Sequence, residues 1–260
     1  MHTCMAWSES EDRSGVETGL AAVSDQLFVT SGDSIKLPSH VPYILMVYGL
    51  TSSASYPLKY IKLTAPSIAQ LPLIINEGGA GTTFNPSTIW DVRDAPFDKI
   101  TPGDYITAYS VEDDEAGVAH RNSIVAIIGD GALPKNPPTP PGIFPHKCTV
   151  SGTTTGGSWT TLDLTQTNEL PAGVYELWGA VVESPTAIAA RFIMKGLEGV
   201  RPATIPIRSN VNPIPDFAKN WGIPYEFVAP DQLPSLEILT ESNETPVQVE
   251  LYVRYVRKVG

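Results

Sequence analysis

The run Leu133-Pro-Lys-Asn-Pro-Pro-Thr-Pro-Pro-Gly-Ile-Phe-Pro145 lies near the middle of the 260-residue chain and most restricts what it can fold into. Each proline fixes φ and removes a backbone donor, which closes the segment to helix and to inner strand. Such a segment is stiff and extended, a spacer between folded bodies. It predicts a domain at residues 25–132, a linker at 133–145 and a second domain at 146–260. Each domain is close to the commonest domain size. Residues 1–24 remain as a polar N-terminal arm, where Glu9, Glu11, Asp12 and Glu17 face a lone Arg13. An arm of this kind is expected to order only against neighbouring subunits, with Trp7 as its anchor.

The two halves repeat one another in order. Leu37-Pro-Ser-His-Val41 leads into the apolar Tyr43–Tyr48, and Leu170-Pro-Ala-Gly-Val174 leads into Tyr175–Val182. Tyr60–Leu63 is matched by Arg191–Met194. Ala65-Pro66 with Leu71-Pro-Leu73 is matched by Arg201-Pro202 with Ile205-Pro-Ile207. An irregular stretch holding Trp90 or Trp221 follows. Each half then closes on a strand pair, Asp104–Val111 with Val118–Ile128 and Ser235–Glu241 with Val247–Val256. The offset stays near ~130 residues, the length of one sandwich domain. Six matches in the same order indicate a duplicated domain.

Strand signals dominate both copies. Val247, Val249, Leu251, Val253 and Tyr255 alternate with polar or charged neighbours, as do Leu162 and Leu164, and a period of two places one face in a core. Ile124–Ile128 is apolar on both faces, as in a strand covered on both sides. Charged residues make up only 17% of the chain; Thr, Ser, Pro and Gly take their place, and this suits short strands and turns. Short helices are expected at Pro86–Val92 and Pro215–Trp221. Seven or eight strand-like runs per half give the fold class: all-β, two tandem eight-stranded jelly-roll β-sandwiches joined by the Pro-rich linker. An immunoglobulin-type sandwich would require a Cys…Trp…Cys spacing that the sequence lacks.

A net charge of −11 disfavours nucleic-acid phosphates and anionic membrane surfaces as partners. The apolar runs are too short to span a bilayer as helices. The N-terminus has no basic stretch followed by an apolar one, so folding in the cytoplasm of the producing cell is expected. Cys4 and Cys148 form no metal framework, and nothing in their placement indicates a disulfide.

Candidate chemistry is sparse. His2, His40, His120 and His146 are scattered, so the clustered ligands of a metal-binding cupin are missing. No G-x-S-x-G elbow is present. Gly78-Gly79-Ala-Gly81 is not followed by the Lys-Ser/Thr of a phosphate loop and reads as a turn. Glu112, Asp113, Asp114 and Glu115 could supply oxygens to a hard cation, but four adjacent carboxylates between two strands read better as a solvated hairpin loop. Glu183 with Glu198, or Asp216 with Glu226, would be a glycosidase pair only if folding sets them across a cleft. Trp90, Trp159, Trp178 and Trp221 lie in apolar surroundings that suit core packing better than a sugar platform. No catalytic residue, metal or cofactor is assigned.

The repeated Leu-Pro-x-x-Val blocks, the Pro-rich linker and the paired closing strands resemble the double jelly-roll major capsid proteins of tailless icosahedral viruses, over residues 25–260. That resemblance implies a structural virion protein and not an enzyme. Three copies would form a pseudo-hexagonal capsomer, with other copies, further capsid proteins or an internal membrane protein as partners. A tandem carbohydrate- or cell-surface-binding module is the rival expectation, and a degenerate bicupin a third.

Overall fold

The computed structural model describes residues 1–10, 11 (backbone only), 15–53, 57–68, 73–76 (backbone only), 89–112, 118–197, 199–208, 214–245 and 248–259. The chain divides into two compact units, with the division between Ala132 and Leu133 at the head of the proline segment. Residues 157–159 group with the first unit.

The first unit contains β1 (His2–Glu11), β2 (Thr18–Gly19), β3 (Thr30–Ser31), β4 (Ser34–Lys36), β5 (Tyr43–Thr51), β6 (Leu58–Thr64), β7 (Leu73–Asn76), β8 (Ile89–Asp91), β9 (Tyr105–Glu112) and β10 (His120–Gly129). Its strands form one sheet in the order β1-β10-β5-β8 and another in the order β3-β4-β9-β6-β7, with β2 paired to β9. The second unit contains β11 (Ile143–Val150), β12 (Trp159–Gln166), β13 (Gly173–Glu183), β14 (Ala187–Ile193), β15 (Ala203–Thr204), α1 (Pro215–Lys219), β16 (Tyr225–Ala229), β17 (Ser235–Thr240) and β18 (Gln248–Arg257). Its strands run β15-β14-β17-β12-β11-β18-β13-β16.

Counted along the second unit, these strands form two runs, first-eighth-third-sixth and second-seventh-fourth-fifth. Leaving out the two-residue strands β2 and β3, the first unit has the same two runs. This interleaving of early and late strands in antiparallel sheets is the jelly roll, and the chain contains it twice. The expected repeats fall on matching strands: Tyr43–Tyr48 on β5 with Tyr175–Val182 on β13, and Tyr60–Leu63 on β6 with Arg191–Ile193 on β14. One further match escaped the sequence reading. His2 and Cys4 on β1 and His146 and Cys148 on β11 are buried at the same spacing on the first strand of each roll.

Four expectations need correction. The supposed arm holds β1, paired residue by residue to β10 from His2↔Gly129 to Glu11↔His120, so the first roll begins at His2 and not at residue 25. The apolar stretch Cys4-Met-Ala-Trp7 is fully buried, and Trp7 Nε1 donates to the Asp33 carbonyl of its own unit. The linker ends sooner than expected, because Ile143-Phe-Pro145 pairs with Arg254-Val253-Tyr252 of β18. Pro145 is tolerated there because β12 joins β11 only from Cys148 onward, so the missing donor faces no partner strand. Ile89–Asp91, expected in a short helix, is β8, paired to Tyr48–Met46 of β5. Finally, β9 and β10 lie in different sheets and are not paired with each other, unlike the strands of a closing hairpin.

The helix expected near Pro215 forms, with proline at its start, where a missing N–H costs nothing. The proline segment docks beside it: Leu133 is buried, and Asn220 Nδ2 donates to the Pro138 carbonyl at 3.3 Å. Gly222 has φ +81, and a Cβ there would lie 2.9 Å from both Cγ and Cδ of Pro134. Gly222→Ala is therefore expected to destabilise the protein by about 2 kcal/mol through left-handed strain and this clash, read as a lower urea midpoint with an unchanged slope.

Candidate functional site

Glu112 ends β9 and turns inward, only 1% exposed. Its Oε2 accepts a hydrogen bond from Asn122 Nδ2 at 2.6 Å, and its Oε1 lies 4.0 Å from His120 Nε2. Asn122 and His120 stand on β10, in the opposite sheet, so this carboxylate ties the two sheets together at one end of the roll. Asp113, Asp114 and Glu115 lie outside the described residues, as do Glu198 and Gly78–Gly81. Among the described residues no three His, Cys, Asp or Glu side chains gather as a metal site would require.

The histidines remain apart. His2 and His146 are buried on the opening strands, His120 opens β10, and His40 lies exposed beside a groove of about 330 Å³ lined by Leu37, Pro38 and Pro102. Burial holds His146 below the ordinary imidazole pKa, and a hydrogen bond with the Gln166 side chain only partly opposes this. The native state thus resists protonation that the unfolded chain accepts. Its contribution is intact above the unfolded pKa of about 6.5 and is lost as the pH falls from there toward the lower native pKa. His146→Gln is expected to flatten the dependence of Tm on pH between about 7 and 5; an unchanged slope would rule this out. Burial also pushes the Cys148 thiol up to about 12.

The tryptophans are not laid out as a platform. Trp7 and Trp221 are fully buried, and Trp90 packs edge-on against Phe97 at 5.6 Å. Trp178 is half-buried on the outer face of β13, with the Arg254 guanidinium 5.5 Å from its ring and its Nε1 donating to Glu176.

Two sheet faces stay open to solvent. In the first unit, β1, β5 and β10 are buried on both faces over most of their length, whereas β4, β6 and β9 alternate buried and accessible positions. The accessible positions hold Lys36, Tyr60, Lys62, Tyr105, Thr107 and Tyr109. Lys62 lies across β6–β9 from Tyr109, with its ammonium 4.6 Å from the ring centroid. Glu17 accepts from Lys62 and from the Tyr60 hydroxyl; these bonds, Lys62's first, hold its carboxyl below the ordinary value. In the second unit, β14 and β17 are buried on both faces, and the open face belongs to β11, β13 and β18. There Glu176, Trp178, Glu183, Glu250, Tyr252 and Arg254 are half-buried. Arg254 bonds Glu176, and the Tyr252 hydroxyl donates to Glu250 at 2.6 Å. Burial first, and then Glu250, raise the Tyr252 pKa.

The sequence reading looked to tryptophan and missed the tyrosine face, although Tyr60-x-Lys62 and Tyr105-x-Thr107-x-Tyr109 already place these side chains on one side of two strands. No family model matches the chain, and no curated protein does. Among solved structures the chain is similar to the major capsid protein P2 from bacteriophage PM2, with 10% identity over 100% of both chains and a TM-score of 0.26. At that score the jelly-roll assignment rests on the strand order alone.

Proposed function

We propose that the chain is a structural virion protein, a major capsid protein whose two jelly rolls stand in the wall of an icosahedral shell. The observation that carries this reading is the duplication: one 260-residue chain builds the same eight-strand order twice with very little between the copies. A doubled unit repeated around a threefold axis gives a ring of six similar bodies, so a homotrimer would present pseudo-hexagonal edges to its neighbours. Both interiors are filled by aliphatic and aromatic side chains such as Ile106, Ile124, Leu177 and Phe192, where a cupin would place polar metal ligands. The net charge of −11 fits a shell whose contacts are with other copies and other capsid components, not directly with nucleic acid.

Size-exclusion chromatography with light scattering, followed by electron microscopy of negatively stained material, tests the reading. Trimers that assemble into closed shells are expected; a monomer at all concentrations would overturn it. The tyrosine face on β6 and β9 favours one rival, a glycan-binding module. That rival predicts a stable monomer retained on a glycan array and losing binding on Tyr105→Ala.

A further inference from the structure

We propose that the two open sheet faces are partners: the β4-β9-β6 face of one copy packs on the β11-β18-β13 face of another. This rests on the reading of the chain as a self-assembling protein. The faces differ in charge. The first carries Lys36 and Lys62 with Glu17, and the second carries Glu176, Glu183 and Glu250 with Arg254 and Lys147. On these residues the first face is net positive and the second net negative. A positive face on a chain of charge −11 is matched by what other copies of the chain supply.

Their chemistry also suits protein contact. Each face sets large aromatic rings among charged groups that are already held. Tyr109 lies under Lys62, Tyr60 is fixed by Glu17, Trp178 lies under Arg254 and bonds Glu176, and Tyr252 is tied to Glu250. Tyrosine and tryptophan rings fixed in this way give contact area at small entropic cost, and these residue types dominate binding hot spots. Because the two faces are different patches of one chain, their contact is heterologous. It generates rings when the rotation closes, which a self-complementary patch cannot do beyond a dimer. Sheets packed face to face also need no backbone donors at their edges, so the contact leaves strand pairing in both units untouched.

Charge reversal tests the pairing. Lys36→Glu with Lys62→Glu reverses the first face, and Glu183→Lys with Glu250→Lys reverses the second. Each one-face variant is expected to weaken self-association by at least about tenfold, read by light scattering across a dilution series, while its far-ultraviolet circular dichroism stays unchanged. The four-fold variant, with both faces reversed, is expected to regain association. One-face variants that associate like the parent overturn the pairing and leave the shell reading standing, and so does a folded four-fold variant that is not rescued. A parent that is monomeric throughout overturns the shell reading and the pairing with it. Should a reversed variant fail to fold, Tyr105→Ser supplies the measurement: its ring is 38% exposed, so loss of association without loss of Tm supports the pairing and unchanged association overturns it.

Discussion

Trp7→Ala is expected to cost the first unit about 3–5 kcal/mol, a large share of the 5–15 kcal/mol that holds a typical domain together. The indole is fully buried in the middle of β1, whose ten residues each face a residue of β10. Alanine leaves a cavity that neighbours on a paired strand cannot easily collapse into, and it leaves the Asp33 carbonyl without the Nε1 donor now 3.1 Å away. Removing residues 2–11 altogether should have a larger effect. It bares the edge of β10, whose Ile124–Ile128 stretch is apolar on both faces, and an unpaired apolar edge aggregates. Urea unfolding followed by circular dichroism checks the first expectation, and soluble yield with light scattering checks the second. If residues 1–24 were an arm that orders only on neighbours, both changes would leave monomer stability within about 0.5 kcal/mol of the parent and alter assembly alone.

The contrast shows where the sequence was readable. Apolar runs and period-two alternation are local signals: the runs at Tyr43–Tyr48 and Tyr175–Val182 fall on β5 and β13, and the alternation around Leu162 and Val249–Tyr255 falls on β12 and β18. The error at the N-terminus came from averaging. Four acids spread over residues 1–24 masked the apolar stretch Cys4–Trp7, which is enough for one inner strand when both its faces are covered. Pro86–Val92 reads as a short helix in the sequence, but β8 is three residues held by β5, and nothing local encodes that rescue. Glu112 could not be placed at all from its neighbours in sequence. Whether a carboxylate beside an acidic run faces water or the interior depends on which sheet the next strand joins, and β10 crosses to the sheet opposite β9. The open faces needed the same information. A strand's alternation separates its two sides, but it does not reveal which side a second layer will cover.

Glu237→Leu is expected to destabilise the second unit by about 3–5 kcal/mol. Arg191 and Glu237 are direct cross-strand partners on β14 and β17, with Arg191 fully buried and Glu237 bound through Oε2 to its Nε. Arg201 Nη1 adds a second contact, 2.8 Å from both carboxylate oxygens. Removing the carboxylate takes the ion-pair partner from a guanidinium where water does not reach, and that penalty exceeds what the ion pair contributes. The double variant Arg191→Met with Glu237→Leu should therefore recover most of the loss, since Arg201 is 14% exposed and can be hydrated alone. Urea midpoints for both single variants and the double form the cycle. Full recovery would mean that the pair adds little net stability and instead fixes register, because a one-residue slip of β17 would set Glu237 against Ala190 or Phe192 in a sheet buried on both faces. No recovery would mean that the pair itself, with Arg201, stabilises the unit.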